Sequence, residues 1–256
     1  MNKRNLLTIF VLQVLCGFNA RAGNAKTPKT DTPAKPTIVI VHGAWGGAWA
    51  FKKVEVLLRE KNFQVYRPQL TGQGDRVHLA RPDIGLNTHI DDVVNTILYE
   101  DLRDIILVGH SYGGMVISGV ADRVPERIKR LVYLDALVPN DGDSVITMLG
   151  DLVKQMTKGD YVVPRWVKPD QPPPHDVPQS LKTFTDPIVL KNEAARKIPA
   201  TYILTVEKGK EAKDDDFFSQ SQRAKERGWT MLQLTSDHNP QWSAPEALAE
   251  MLAGIR

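Results

Sequence analysis

The 256-residue sequence has one cysteine, Cys16. A single thiol closes no intrachain disulfide, so a small disulfide-stapled scaffold is excluded, and the length suffices for one large domain with its own core. No run of about twenty apolar residues occurs, which excludes an ordinary membrane-spanning helix. Charge of one sign is also scarce. The formal net charge is +3, and Lys3, Arg4 and Arg21 near the N-terminus, with no acid among them, account for that surplus. The body of the chain is therefore near neutral and offers no footprint for nucleic acid. Repeats of fixed period and heptads are missing. There is no Gly-Lys-Ser/Thr phosphate cradle, no Gly-x-Gly-x-x-Gly between the first strand and helix, and no metal-ligand cluster. No nicotinamide, flavin or metal is expected as a cofactor. What remains is an ordinary globular composition, 42% hydrophobic and 25% charged.

The first residues stand apart. "MNKR" is basic, "NLLTIFVLQVLCGF" has the length of a signal-peptide apolar region, and "ARAGNA" supplies small residues for cleavage. That order predicts an export signal over 1–22, cleaved after Ala22 or Ala25; a buried N-terminal helix is the other reading. Gln13, Val14 and Leu15 precede Cys16 and are not small, which speaks against a lipoprotein anchor. The mature chain would be periplasmic or secreted, without cysteine and without a stable membrane anchor. The segment 23–36, rich in lysine, threonine and proline, reads as a solvated linker.

Beyond it, short apolar, β-branched runs at 37–43, 63–68, 105–110, 130–136, 200–206 and 230–235 read as buried strands. Helix-like segments at 47–60, 88–101, 113–123, 219–227 and 244–254 alternate with them. The fold class expected is α/β, a mostly parallel doubly wound sheet covered on both faces. The core is assigned to 37–138 and 199–256. Residues 139–198 carry no clear strand, and prolines at 164, 169, 172, 173, 174 and 178 forbid continuous helix. They also keep Met148, Leu149, Leu152, Val153, Met156, Tyr161, Trp166 and Phe184, too apolar a set for a solvated linker. The segment reads as an inserted cap.

The stretch "ILVGHSYGGMV", 106–116, leaves a strand and opens a helix. Gly-x-Ser-x-Gly in that setting is a nucleophile elbow. Gly109 and Gly113 relieve the crowding of a tight, strained turn, and Ser111 is raised at a helix N-terminus. A serine hydroxyl needs a histidine base, and that base needs an acid to hold it. Of six histidines, His238 in "TSDHNPQW" lies just after the last strand, where its loop reaches the strand ends. The acid should follow the preceding strand. Glu207 is nearest that strand's end and is the expected acid; Asp214, Asp215 and Asp216 are alternatives, and Asp135, ending the strand "LVYLD", is a further one. The oxyanion hole is expected from the backbone N–H groups of Tyr112 and Ala44, the latter in "HGAWGGAW". Trp45, Met148, Tyr161 and Trp166 are the candidate substrate-binding residues.

Together these pieces resemble the α/β-hydrolase superfamily over about 36–256. "HGAWGGAWAFKKVEVLL", "GHSYGGMV" and "LVYLDALVPNDGDS" are similar to the branch holding plant methylesterases of the salicylate-binding type, plant hydroxynitrile lyases and bacterial esterases. In the methylesterases a Thr-Glu-Asp-Lys-Gly segment follows the acid's strand. The resemblance puts Glu207 of Thr205–Val206–Glu207–Lys208–Gly209 on that aspartate. Some enzymes of the fold take the acid from the strand that here ends in Asp135. The lyases of this branch carry a lysine after the histidine and a threonine in the first turn; here stand Asn239 and Ala44. Taken with the export signal, the resemblance implies an exported carboxylesterase for small esters with an apolar acyl or aryl part. Its rivals are a hydrolase of amides, carbamates or lactones, a lyase, and a ligand receptor on a hydrolase frame. Oligomeric state is not legible.

Overall fold

The computed structural model describes residues 35–255, so the expected signal and nearly all of the linker lie outside the described residues. Six strands form the central sheet: β1 (Thr37–Val41), β2 (Gln64–Tyr66), β3 (Ile105–His110), β4 (Ile128–Leu134), β5 (Ala200–Val206) and β6 (Thr230–Thr235). Their order is β2-β1-β3-β4-β5-β6, and every neighbouring pair is parallel. The flanking helices are α1 (Lys52–Glu60), α2 (Leu86–Tyr99), α3 (Gly113–Arg123), α4 (Phe218–Glu226) and α5 (Pro245–Gly254).

Strand alternation sorts the core into two layers. Val39, Val41 and Leu107 face one side and pack with Ile90 and Val93 of α2 and Met115 and Val116 of α3. Ile38, Ile40, Ile106 and Val108 face the other, with Val54 and Leu58 of α1 and Leu248 and Leu252 of α5. Burial of each such aliphatic side chain contributes about 1.5–3 kcal/mol. Because both faces are covered, β3 is buried along its whole length, as its unbroken apolar run requires.

The chain between β4 and β5 caps the strand ends. It holds the short helices Val145–Leu149, Asp151–Met156, Lys182–Thr185 and Glu193–Arg196. Contrary to the sequence expectation, it also contains strands. Thr157–Lys158, Tyr161–Val162 and Gln179–Ser180 make a three-stranded antiparallel sheet. Two-residue strands are too short to show a period of two in sequence.

Three buried histidines tie the loops at the strand ends together. His42 donates from Nδ1 to the Gly43 carbonyl at 2.8 Å, and its Nε2 accepts the Leu70 N–H at 3.3 Å. His89 donates from Nε2 to the Thr71 carbonyl and accepts the Tyr112 hydroxyl at Nδ1, both at 2.9 Å. His110 donates from Nε2 to the His238 carbonyl at 2.7 Å. Burial, the main cause in each case, lowers their pKa values from 6.5 to about 4 for His42 and His89 and about 3 for His110.

This sets an acid limit on stability. Between pH 6.5 and about 4 the unfolded chain binds protons that the folded chain excludes, so stability is full above pH 6.5 and falls as pH falls. Each histidine contributes about 1.4 kcal/mol per pH unit in that window. Asp215, raised to about 6 chiefly by burial, takes up a proton on folding and offsets part of the loss. Urea unfolding at pH 7, 6 and 5 should show the midpoint falling at each step; a constant midpoint would refute the neutral buried histidines.

Candidate active site

The site starts from a strained turn. β3 ends at His110, α3 begins at Gly113, and Ser111 between them has φ +54°. A non-glycine residue there costs on the order of 1–3 kcal/mol, a strain that persists only if its surroundings over-determine it. They do: the Ser111 N–H donates to the Leu134 carbonyl at 3.2 Å, and the Ser111 carbonyl accepts the Leu137 N–H at 3.1 Å. The flanking glycines are obligatory. A Cβ on Gly109 would lie 2.6 Å from the Gly113 carbonyl oxygen, and one on Gly113 2.8 Å from that of Val41.

His238 follows β6. Its Nε2 is 3.0 Å from Ser111 Oγ, and its Nδ1 is 2.6 Å from Asp135 Oδ2. Asp135 is fully buried and directly follows β4 with φ +44°, a backbone region that aspartate tolerates. Its other oxygen, Oδ1, accepts the Thr205 N–H at 3.1 Å. The carboxylate sets the tautomer: Nδ1 carries the proton toward Asp135, and the Nε2 lone pair faces the serine hydroxyl. Phe217 stacks on the His238 ring at 4.6 Å and 10°, and the His110 ring lies 4.8 Å away.

The expected pairing of His238 with Glu207 is not formed. Glu207 is exposed, and its carboxylate accepts from Lys210 Nζ at 2.6 Å. Asp135 directly follows β4, the neighbour of β3 with Leu134 opposite His110, and it is this carboxylate that is buried against the imidazole, whereas Glu207 after β5 is turned to solvent. None of Asp214, Asp215 and Asp216 bonds His238 either. Asp214 Oδ2 accepts the Glu211 N–H and Asp215 Oδ1 the Phe217 N–H, at 3.3 and 2.8 Å. Asp135 carried a sequence signal of its own: a carboxylate closing an apolar strand is costly unless partners wait for it.

The turn after β1 supplies the opposite wall. Trp45 has φ +62° and is clamped by the cap: its N–H donates to Gln179 Oε1 at 2.9 Å, its indole N–H to the Val162 carbonyl at 3.1 Å, and its carbonyl accepts the Val177 N–H at 2.8 Å. Among the described residues no acceptor takes the N–H of Ala44 or of Tyr112. Both residues line a cavity of about 600 Å³ with Ser111 and His238. Trp45 and Trp166 line it, as do Leu152, Met156 and Phe184 from the cap. Two sequence candidates do not. Tyr161 sits in the small cap sheet, and Met148 packs against the core without lining the cavity, unlike its helix neighbours Val145 and Leu149. Among the described residues no three His, Cys, Asp or Glu are grouped to hold a metal ion, and no helix is long and apolar enough to cross a membrane.

Comparison with known proteins agrees with this architecture. The model of the alpha/beta hydrolase family matches residues 38–251. The chain is 35% identical over 240 residues to a carbendazim hydrolyzing esterase of Nocardioides sp. (strain SG-4G), covering 85% of this chain and 98% of that one. It is 29% identical over 254 residues to the pFDCC methylesterase MES16 of Arabidopsis thaliana, covering 84% and 93%. An extracellular alpha/beta-hydrolase from a Paenibacillus species superposes with a TM-score of 0.71 at 23% identity, over 86% of this chain and all of that one, a likeness of fold. By its sheet order, its strained serine turn and these matches, the chain belongs to the alpha/beta hydrolase family, in the neighbourhood of the plant methylesterases and bacterial esterases.

Proposed function

We propose that the protein is an exported serine hydrolase that cleaves carboxylic esters of small molecules through an acyl-enzyme. One observation carries the reading: the hydrogen-bonded chain from Ser111 Oγ through His238 to the buried Asp135, at 3.0 and 2.6 Å, opening on a cavity of about 600 Å³. The esterase and methylesterase names of the relatives support ester hydrolysis. The basic start, apolar run and small residues of the N-terminus support export.

In this mechanism Ser111 Oγ attacks the ester carbonyl carbon while His238 Nε2 takes the hydroxyl proton. The charge that develops on the carbonyl oxygen meets the N–H groups of Ala44 and Tyr112 and the N-terminus of α3. Asp135 holds the ring and stabilises the imidazolium. His238 then hands its proton to the departing alkoxide, and the alcohol leaves. Water, deprotonated by the same nitrogen, attacks the acyl-enzyme; the C–Oγ bond breaks, Ser111 recovers its proton, and the carboxylic acid is released. Asn239 and Ala44 stand where the lyase chemistry of related folds needs a lysine and a threonine, which disfavours that reading.

Ser111→Ala should lower kcat/KM on p-nitrophenyl esters by on the order of 10³-fold or more and abolish labelling by a fluorophosphonate, with an unchanged circular-dichroism melt. Retention of more than about a tenth of the rate would exclude Ser111 as nucleophile. A receptor on a hydrolase frame would neither turn over nor label in the wild type.

The acid is tested by a pair of substitutions. Asp135→Asn should cut kcat by roughly 10⁴-fold, since the amide no longer imposes the tautomer or balances the imidazolium. Glu207→Gln removes only an exposed ion pair and should stay within about twofold of wild type. The reverse ranking would return the role to Glu207.

A further inference from the structure

We infer that the enzyme takes esters bulky on both sides of the scissile bond, with an uncharged aryl or arylmethyl alcohol part seated in a second lobe beside Trp242. The inference rests on the reading of Ser111 as nucleophile. Its basis is a second cavity of about 380 Å³ that shares Ala44, Trp45, Ser111, Trp166 and His238 with the larger one. The nucleophile and base therefore stand at the junction of two spaces. Trp166 of the cap divides them. It sits edge-on to Trp45, with ring centres 5.6 Å apart and planes at 89°, and its indole N–H is tied to Asp176 Oδ2 at 2.9 Å.

The chemistry assigns each side. The leaving oxygen must lie at His238 Nε2 to collect its proton. The smaller lobe is walled by the segment that carries this base: His238, Asn239, Gln241 and Trp242. The larger lobe begins at Tyr112, the residue after the nucleophile, and runs under the cap along Leu149, Leu152 and Met156. The alcohol thus points into the smaller lobe and the acyl group into the larger. A methyl group would leave most of 380 Å³ to water, whereas that volume is within the range of roughly 300–1,000 Å³ of pockets that hold drug-sized groups. Its walls are aromatic, with Phe51, Trp166 and Trp242. Trp242 is half exposed and backed by Trp49 at 5.7 Å and 22°, which leaves its other face open for stacking. Apart from His238, its ionisable walls are Asp176 and the neutral His42 and His110, a setting that rejects an anionic alcohol.

The test is a series of methyl, benzyl and 2-naphthylmethyl esters of one acid. All pass through the same acyl-enzyme, so deacylation is common and kcat/KM reports the alcohol alone; these alkyl-type alcohols are similar leaving groups. Wild type should favour the arylmethyl esters over the methyl ester by about tenfold or more. Trp242→Ala should reduce that ratio by about tenfold, and Trp242→Phe should keep most of it. Met156→Ala, in the larger lobe, should leave the alcohol ratio in place and shift the preference between short and long acyl chains. A methyl ester as good as the arylmethyl esters, an alcohol ratio unchanged in Trp242→Ala, or one moved equally by Met156→Ala would each overturn the assignment. Enzyme that labels with a fluorophosphonate yet shows a flat alcohol series sinks this inference alone, whereas enzyme that neither labels nor hydrolyses any ester sinks the esterase reading beneath it.

Discussion

The 2.6 Å hydrogen bond between Asp135 and His238 is the constraint on which the arrangement of this molecule turns. A carboxylate without solvent access is among the costliest groups a protein can bury, and it is tolerated only when each oxygen has a donor. Asp135 draws its donors from two further strands. Thr205 on β5 supplies a backbone N–H, and the loop after β6 supplies the imidazole. Satisfying one buried group thereby requires three consecutive parallel strands to sit in register, with Leu134 opposite Ile203 and Thr205 opposite Leu234. A slip of one residue would turn side chains to the other face and leave the charge unpaired.

The same economy governs the histidines that do no chemistry. His42, His89 and His110 are buried and neutral, and each bridges segments remote in sequence. Of these, His110 touches the reactive centre most directly: it holds the backbone of His238 while its ring lies beside the base. Kept neutral by burial, it adds no positive charge next to the imidazole that the proposed mechanism makes cationic.

The cap is also a structural part of the site. Gln179, Val162 and Val177 clamp Trp45 in its left-handed backbone conformation, and that fixes the peptide planes on either side of it, next to Ala44. A change in the cap therefore reaches Trp45, in the turn that lines the cavity with Ser111, through hydrogen bonds as well as through the cavity wall. The strain at Ser111 and at Trp45 faces one point, and in both cases hydrogen bonds from other elements hold it.

Much of this was legible in the residues. Apolar, β-branched runs located six strands because a parallel sheet covered on both faces demands them, and Gly109, Ser111 and Gly113 marked the elbow because no side chain fits beside that turn. The position of His238 after the last strand followed from the same alternation of strand and helix. The acid did not follow, because Asp135 after β4 and Glu207 after β5 both close apolar strands, and only the fold buries the first against His238 while leaving the second exposed and paired with Lys210. Tyr161 and Met148 went astray for a related reason, since the face a cap residue shows depends on what packs against it and not on its hydrophobicity. The sequence by itself determined which elements form and where the serine is mounted, as these rest on local sterics and periodicity. Only the tertiary structure decided which carboxylate meets the histidine and that two cavities flank the serine, because both depend on distances between strands and loops far apart in the chain.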